Sequence, residues 1–184
     1  MSKFLDKVQP KNKTQLKSLI EYAFNHNIYD LNFIDTSKIK DMSKLFMSCE
    51  YDIDVSNWDV SNVTTTFCMF VGCKKFNSDL SNWNMANVKT TRYMFSGCES
   101  FEGKGLENWD VSNVKDMHGM FAFCNKFDCD LSNWDVSNVT CMCFMFGHCK
   151  QFNCDLSHWN VSKVKDMKDM FTCCNILTIP NWYK

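Results

Sequence analysis

The sequence predicts an α/β repeat solenoid in which six rungs each hold a short parallel strand and a short helix, with a helical cap at the N-terminus. Three observations predict this class. Near-identical segments recur about every 25 residues, apolar residues change their spacing inside each segment, and the composition, 45% hydrophobic and 22% charged, is that of an ordinary folded domain. A cysteine marks the end of every segment, at Cys49, Cys73, Cys98, Cys124, Cys149 and Cys174.

Aligned on tryptophan, five repeats share almost every landmark. They read SNWDVSNVTTTFCMFVGC from Ser56, SNWNMANVKTTRYMFSGC from Ser81, ENWDVSNVKDMHGMFAFC from Glu107, SNWDVSNVTCMCFMFGHC from Ser132 and SHWNVSKVKDMKDMFTCC from Ser157. A degenerate first repeat, NFIDTSKIKDMSKLFMSC from Asn32, has Ile34 in the tryptophan position. Such self-similarity is typical of proteins in which stacked units bury a shared core.

The first half of each repeat is predicted to be the strand. Leu80, Trp83, Met85 and Val88 follow L-x-x-W-x-V-x-x-V, which has the spacing of a leucine-rich repeat with Val in place of the usual Asn or Cys. The segment 82–85 should therefore be a short strand with alternate side chains pointing inward. On this pattern the predicted class is leucine-rich-repeat-like.

The second half of each repeat is predicted to be the helix. Val114, Met117, Phe121 and Cys124 lie at helical offsets, and a serine precedes this change of period as a candidate N-cap. Stacked rungs should then bury three columns of apolar side chains. They are Trp58, Trp83, Trp109, Trp134 and Trp159; Phe70, Phe95, Phe121, Phe146 and Phe171; and Phe76, Phe101, Phe127, Phe152 and Leu177.

The ends of the chain are predicted to be caps, which divides it into 1–30, 31–177 and 178–184. A basic segment and an amphipathic helix after Thr14 should cover the Ile34 end of the stack. At the other end, Pro180 has no N–H for a further strand. We expect the turn at Glu102–Gly105 to form a surface bulge.

Charge and hydropathy exclude several classes of protein. The net charge of −1 gives no reason to expect nucleic acid as a partner, and no run approaches the roughly 20 apolar residues of a membrane span. The N-terminal residues lack the apolar stretch of a secretory signal, so a cytoplasmic protein is expected. We also expect a monomer.

The twelve cysteines are expected to be reduced, because nothing indicates an oxidising compartment. Cys141, Cys143, His148 and Cys149 mix ligand types that suit zinc, but on a helix they project to opposite sides. A zinc ion there would need a segment that is not helical, or ligands from a neighbouring rung. No metal or other cofactor is therefore predicted.

Other cysteines suggest at most a redox role. On the helical wheel Cys68, Cys141 and Cys173 project outward, while Cys129 and Cys154 occupy equivalent turn positions in successive rungs. Equivalent side chains of a parallel stack point the same way, so we expect Cys129 and Cys154 to stay reduced.

Catalytic constellations are absent from the sequence. The four histidines share no motif, and Asp79, Asp130 and Asp155 recur because the turn recurs, since Asp in a turn bonds to its own backbone. We therefore expect a protein that is not an enzyme.

The repeat W-D-V-S-N-V-x-x-M-x-x-M-F-x-x-C-x-x-F-N-x-D-L resembles the BspA-like leucine-rich repeat surface proteins of bacteria, which include repeat proteins of mycoplasmas. The resemblance covers about residues 31–177. It implies a leucine-rich-type solenoid used for attachment and protein recognition, without catalysis, and it makes export or surface association the alternative to a cytoplasmic location.

Two classes of function follow. The first is a recognition or adhesion scaffold that binds a protein or peptide through polar residues of the strand face. These residues are Asn57, Asp59, Asn82, Asn84, Asn108, Asp110, Asn133, Asp135 and Asn160. The second is a metal or thiol-redox module acting through the cysteines, and a third possibility is a binding surface elsewhere, including the basic cap.

Overall fold

The computed structural model describes residues 7–176 and 178–183. Its helices there are α1, Lys13–Asn25, and a short 3-10 turn, Leu106–Asn108. β-structure in the described residues is limited to isolated parallel bridges, so they form no sheet. The prediction of a leucine-rich-repeat-like α/β solenoid, with a strand and a helix in each of six rungs, is therefore wrong.

Helix α1 is where the amphipathic pattern placed it. The side chain of Asn12 caps it by accepting from the backbone N–H of Gln15, and Leu16, Ile20 and Ala23 are buried on one face. Just before α1, Val8 forms a parallel bridge to Ile34 in the first repeat. In the part of the chain that the structure describes, no helix is long and apolar enough to cross a membrane.

Consecutive repeats stack in register through one column of bridges. The column joins Asp41, Thr65, Thr90, Asp116, Cys141 and Asp166, each paired in parallel with the next. Equivalent residues therefore lie beside one another although they are 24 to 26 positions apart, which places the repeated landmarks in continuous columns along the stack.

The segment after each bridge is held by alternate backbone N–H groups. Those of Met142, Phe144, Phe146 and His148 donate to carbonyls of the next repeat, at 2.8 to 3.0 Å. The intervening N–H groups of Met145, Gly147 and Cys149 donate three residues back within their own repeat. The bonds to the next repeat recur from the first repeat to the fifth, and the full alternation recurs from the second to the fifth, where it replaces the predicted helix.

Two left-handed residues in every repeat explain why no helix forms. They lie four positions apart, with φ between 53° and 76°. The pairs are Lys44 and Ser48, Cys68 and Gly72, Tyr93 and Gly97, Gly119 and Phe123, Phe144 and His148, and Asp169 and Cys173. A left-handed residue reverses the backbone twist, so each segment becomes a chain of turns.

The predicted columns form the core. The tryptophans are at most 5% exposed, and the two phenylalanine columns are almost fully buried, except for Phe171 at the end of the stack. Rings of the Phe70 column stack face to face at centroid distances of 5.6 to 5.8 Å, as in Phe95–Phe121. Leu177 lies outside the described residues.

The turn at Glu102–Gly105, predicted to be a surface bulge, lies only partly at the surface, where Glu102 and Lys104 are exposed. Gly103 and Gly105 are both buried and left-handed, with φ of 92° and 90°. A side chain at Gly105 would collide with the backbone of Ser81 in the preceding repeat. The two glycines therefore allow an unusually close approach between neighbouring repeats.

Candidate functional site

The nine residues predicted to bind a partner are all exposed, and they flank the buried tryptophans along one side of the stack. We call this side, together with the aspartates described below, the acidic face. Each residue directly after a tryptophan forms a tight turn. The Oδ1 atom of Asp135, for example, accepts from the backbone N–H of Ser137 at 3.0 Å. The same bond occurs at Asp59, Asn84, Asp110 and Asn160.

Asparagine precedes the tryptophan in four of the five tryptophan repeats, and near the N-terminal end of the stack asparagines of neighbouring repeats contact one another. Nδ2 of Asn82 lies 3.4 Å from Oδ1 of Asn57, and Oδ1 of Asn32 accepts from the backbone N–H of Asn57 at 2.8 Å. Asn108 instead contacts the carboxylate of Glu107, and Asn133 is exposed. His158 occupies this position in the last full repeat.

A second column of carboxylates runs along the same side. Asp54, Asp79, Asp130 and Asp155 each accept a hydrogen bond from the serine two residues on, as the recurring turn predicted. Hydrogen bonds from Ser132 lower the pKa of Asp130, and those from Ser137 lower the pKa of Asp135. Hydrogen bonds from Lys104 and Ser81 lower the pKa of Asp79 to about 2.

The backbone between the two carboxylate columns has free hydrogen-bonding groups. The N–H of the residue after each tryptophan from Trp58 to Trp159 has no acceptor among the described residues, and the carbonyl of each of these five tryptophans has no donor there. An open groove of about 510 Å³ lies beside them, lined by residues that include Asp128, Asp130 and Asp155. The face therefore offers ionised carboxylates and unpaired peptide groups at regular intervals.

The twelve cysteines are free thiols. The buried thiols of Cys73, Cys98, Cys124 and Cys149, the core column, donate to the preceding repeat, as Cys149 does to the carbonyl of Phe121 at 2.9 Å. Burial raises the pKa of Cys129 to about 12 and that of Cys154 to about 11. Of the three predicted to project outward, Cys173 is exposed, while Cys68 and Cys141 are half-buried.

Cys141 and Cys143 meet a histidine of the preceding repeat. Their Sγ atoms and a ring nitrogen of His118 all lie within 4.8 Å of one another, and Sγ of Cys141 is 3.9 Å from Nδ1 of His118. His148 and Cys149 are not part of this group: the His148 ring stacks on Phe123, and Cys149 belongs to the core column. We call the three residues the His–Cys cluster.

Neighbouring side chains hold the His–Cys cluster in place. Nε2 of His118 lies 2.5 Å from the hydroxyl of Tyr93, in the repeat before it. Burial, followed by the nearby Arg92 guanidinium, lowers the pKa of His118. Burial and the neighbouring Asp166 carboxylate raise the pKa of Cys143 to about 12.

Sequence reasoning missed His118 because the predicted helix pointed the cysteines in the wrong directions. The usable signal was the alignment itself, in which Cys143 occupies the position that His118 occupies one repeat earlier. Stacking in register brings such equivalent positions together whatever the local backbone.

A family model described as "Mycoplasma protein of unknown function, DUF285" matches residues 14–105 and 99–182. This supports the predicted relation to mycoplasma-type repeat proteins. Neither the curated proteins nor the solved structures contain a match. Because the two matched segments together cover most of the chain, the protein belongs to the DUF285 family of Mycoplasma repeat proteins.

Proposed function

We propose that the chain is a non-enzymatic recognition scaffold whose acidic face binds an extended, basic segment of a partner protein. The observation that carries this proposal is the repetition, in successive repeats, of ionised carboxylates beside unpaired peptide groups. A single exposed ion pair contributes little to affinity, but several in a fixed row act together.

The spacing of the face suits an extended chain. Ring centroids in the tryptophan column are 6.3 Å apart for Trp83–Trp109 and 6.4 Å apart for Trp109–Trp134. An extended chain rises about 3.3 Å per residue, so alternate residues repeat at about 6.6 Å. A partner lying along the stack would therefore place every second residue against an equivalent position.

The charge of the face selects a basic partner. The carboxylates of Asp59, Asp110 and Asp135 each use one oxygen in the local turn, which leaves the second oxygen for a cation. Lysine or arginine at alternate positions of the partner would meet these oxygens, and the free N–H groups would meet its carbonyls. Binding should weaken as salt is added, because the charges are exposed.

The test uses a labelled ten-residue peptide that alternates lysine and threonine, with a control of the same composition in which the lysines are adjacent in pairs. We expect the alternating peptide to bind the full chain more tightly in fluorescence anisotropy. The triple variant Asp59→Asn, Asp110→Asn, Asp135→Asn should weaken binding at least tenfold. Asn84 and Asn160 already form the same turn, so these changes remove charge without removing the turn.

A matched variant controls for net charge. Glu21→Gln, Glu50→Gln and Glu99→Gln together remove three negative charges at exposed positions outside the acidic face. This variant should bind like the original chain. Equal losses in the two triple variants, or equal binding of the two peptides, would show that the face is not a spaced recognition surface.

The relation to BspA-like surface proteins and the cellular location belong to the same proposal. The Mycoplasma family match is compatible with surface association, and the acidic face could serve attachment there as well as recognition inside the cell. Protease shaving of intact cells, with immunodetection of the chain, separates these two settings.

A further inference from the structure

We infer that the His–Cys cluster, His118, Cys141 and Cys143, is a binding site for one zinc-class cation that joins two adjacent repeats. The inference is separate from the acidic face, because none of the three residues belongs to it. It also departs from the sequence-based expectation of no metal. That expectation assumed that Cys141 and Cys143 lie on a helix, and the chain forms turns there instead.

The distances are close to those of a tetrahedral site. With zinc–sulfur bonds of about 2.3 Å and zinc–nitrogen bonds of about 2.0–2.1 Å, tetrahedral geometry places two sulfur ligands about 3.8 Å apart and a sulfur and a nitrogen ligand about 3.6 Å apart. Cys141 Sγ and His118 Nδ1 are 3.9 Å apart, and the whole set lies within 4.8 Å. Closing the site therefore needs side-chain adjustments of about 1 Å or less.

The stacking register creates the cluster at this level. In the column of bridges, Asp116 and Asp166 use a carboxylate oxygen to accept from the backbone N–H two residues on. Cys141 occupies the same position between them but its thiol makes no such bond, so the thiol is available to His118. Cys143 follows two residues later, at the repeat position that His118 occupies in the preceding repeat, and it is only 9% exposed.

Tyr93 orients the His118 ring by contacting one of its nitrogens. Its hydroxyl contacts Nε2, so that with Nε2 protonated Nδ1, which lies 3.9 Å from the Cys141 thiol, keeps a lone pair for a metal ion. Outer-shell hydrogen bonds of this kind fix the tautomer of metal-binding histidines.

The ligand set selects the class of cation. Two thiolates and an imidazole suit zinc and chemically similar ions, whereas calcium and magnesium require oxygen ligands. Three protein ligands leave one position of a tetrahedron for water or for a carboxylate. Asp166, which lies beside the Cys143 thiol, is the nearest carboxylate on the following repeat.

Cobalt titration of the reduced full chain tests the site. We expect one Co²⁺ per chain, with the thiolate charge-transfer absorption and the strong visible bands of tetrahedral cobalt, both lost on adding one equivalent of Zn²⁺. Cys141→Ser and Cys143→Ser should each weaken binding at least tenfold and reduce the charge-transfer absorption by about half. Tyr93→Phe should weaken binding by about 10- to 100-fold and leave the charge-transfer absorption in place.

Control variants distinguish this site from other thiols. Cys68→Ser and Cys173→Ser lie outside the cluster and should bind cobalt like the original chain. His118→Asn keeps a polar group at a half-buried position and serves as a further ligand variant should a cysteine variant fail to give the original circular dichroism spectrum. Unchanged affinity in the folded ligand variants, an octahedral spectrum, or equal losses in the control variants would overturn the inference.

Discussion

Buried polar atoms connect each repeat to the one before it. The indole N–H of Trp134 donates to the carbonyl of Leu106 at 2.8 Å, and the other tryptophans repeat this bond, including Trp182 near the C-terminus. A hydrogen bond of this kind contributes about 1 kcal/mol, and burying the indole contributes several kcal/mol more before conformational entropy is subtracted. The tryptophan column therefore provides both the apolar core and the register of the stack.

Left-handed residues, two in each repeat, place backbone strain at regular intervals along the stack. Glycine adopts this conformation without strain, whereas other residues require about 1 kcal/mol or more. At the second left-handed position, successive repeats have Ser48, Gly72, Gly97, Phe123, His148 and Cys173. Several repeats thus retain strain that their neighbours avoid, and the hydrogen bonds between repeats offset it.

Ser48→Gly should therefore stabilise the fold by about 0.5 to 1 kcal/mol, because the exposed Ser48 has φ of 60°. Gly97→Ala, at φ of 76°, should destabilise it by about 1 kcal/mol or more. Urea unfolding monitored by tryptophan fluorescence measures both changes. Ser162→Gly is the control, since Ser162 is exposed but not left-handed, and it should not stabilise. Stabilisation by Ser162→Gly equal to that by Ser48→Gly would contradict the strain argument.

At the scale of elements, the described repeats consist largely of turns, many of which are closed by aspartate, asparagine or threonine side chains. In these turns a side-chain oxygen accepts from the backbone N–H two residues further on, and the same positions recur in several repeats. A hydrogen bond to an ionised carboxylate favours its charged form, so these turns couple the fold to pH.

Acid should destabilise the protein through these turns. The folded-state pKa of Asp79 is about 2, below the usual value of 3.8, and those of Asp130, Asp135 and Asp155 are also lowered. A lowered pKa adds stability that is fully present above about pH 4 to 5 and is lost as the pH falls toward 2. Thermal melts should thus show a level midpoint from pH 5 to 7 and a steep decrease between pH 4 and 2. In Asp79→Asn the decrease should be smaller, and an unchanged acid profile would contradict the assignment.

The sequence predicted which side chains are buried, but not the backbone that buries them. Val114, Met117, Phe121 and Cys124 lie inside, and spacings of three and four residues describe a helix face equally well as consecutive turns of three or four residues. Hydrophobic periodicity carries no information on the sign of φ, and the left-handed positions hold Lys, Tyr, Phe and Asp as well as glycine. The spacing of the apolar residues therefore could not predict the backbone conformation of the repeat.

The same limit applied to the candidate sites. All nine residues of the predicted polar face are exposed, since their position beside an inward tryptophan follows from alternation alone. Whether they bind a partner stays a prediction. The His–Cys cluster needed the register between repeats and the true direction of Cys141, and both depend on the turn geometry.

At the scale of the whole molecule, each repeat contacts its neighbours and depends on them for burial. Ring stacking continues without a break from Phe46 through Phe70 and Phe95 to Phe171. Stability in such stacks is a sum of repeat and interface contributions. Helix α1 and Trp182 pack against the two ends, so the described chain forms one continuous core.

Alternate backbone N–H groups in each repeat donate to carbonyls of the next repeat, and not to carbonyls four residues earlier as they would in a helix. Scalar couplings across hydrogen bonds, measured by NMR on the deuterated protein, test this directly. We expect correlations from the amide nitrogens of Phe144 and Phe146 to the carbonyl carbons of Lys168 and Met170, 24 residues further along the chain. Correlations from these amides to carbonyls four residues earlier, as in a helix, would contradict it.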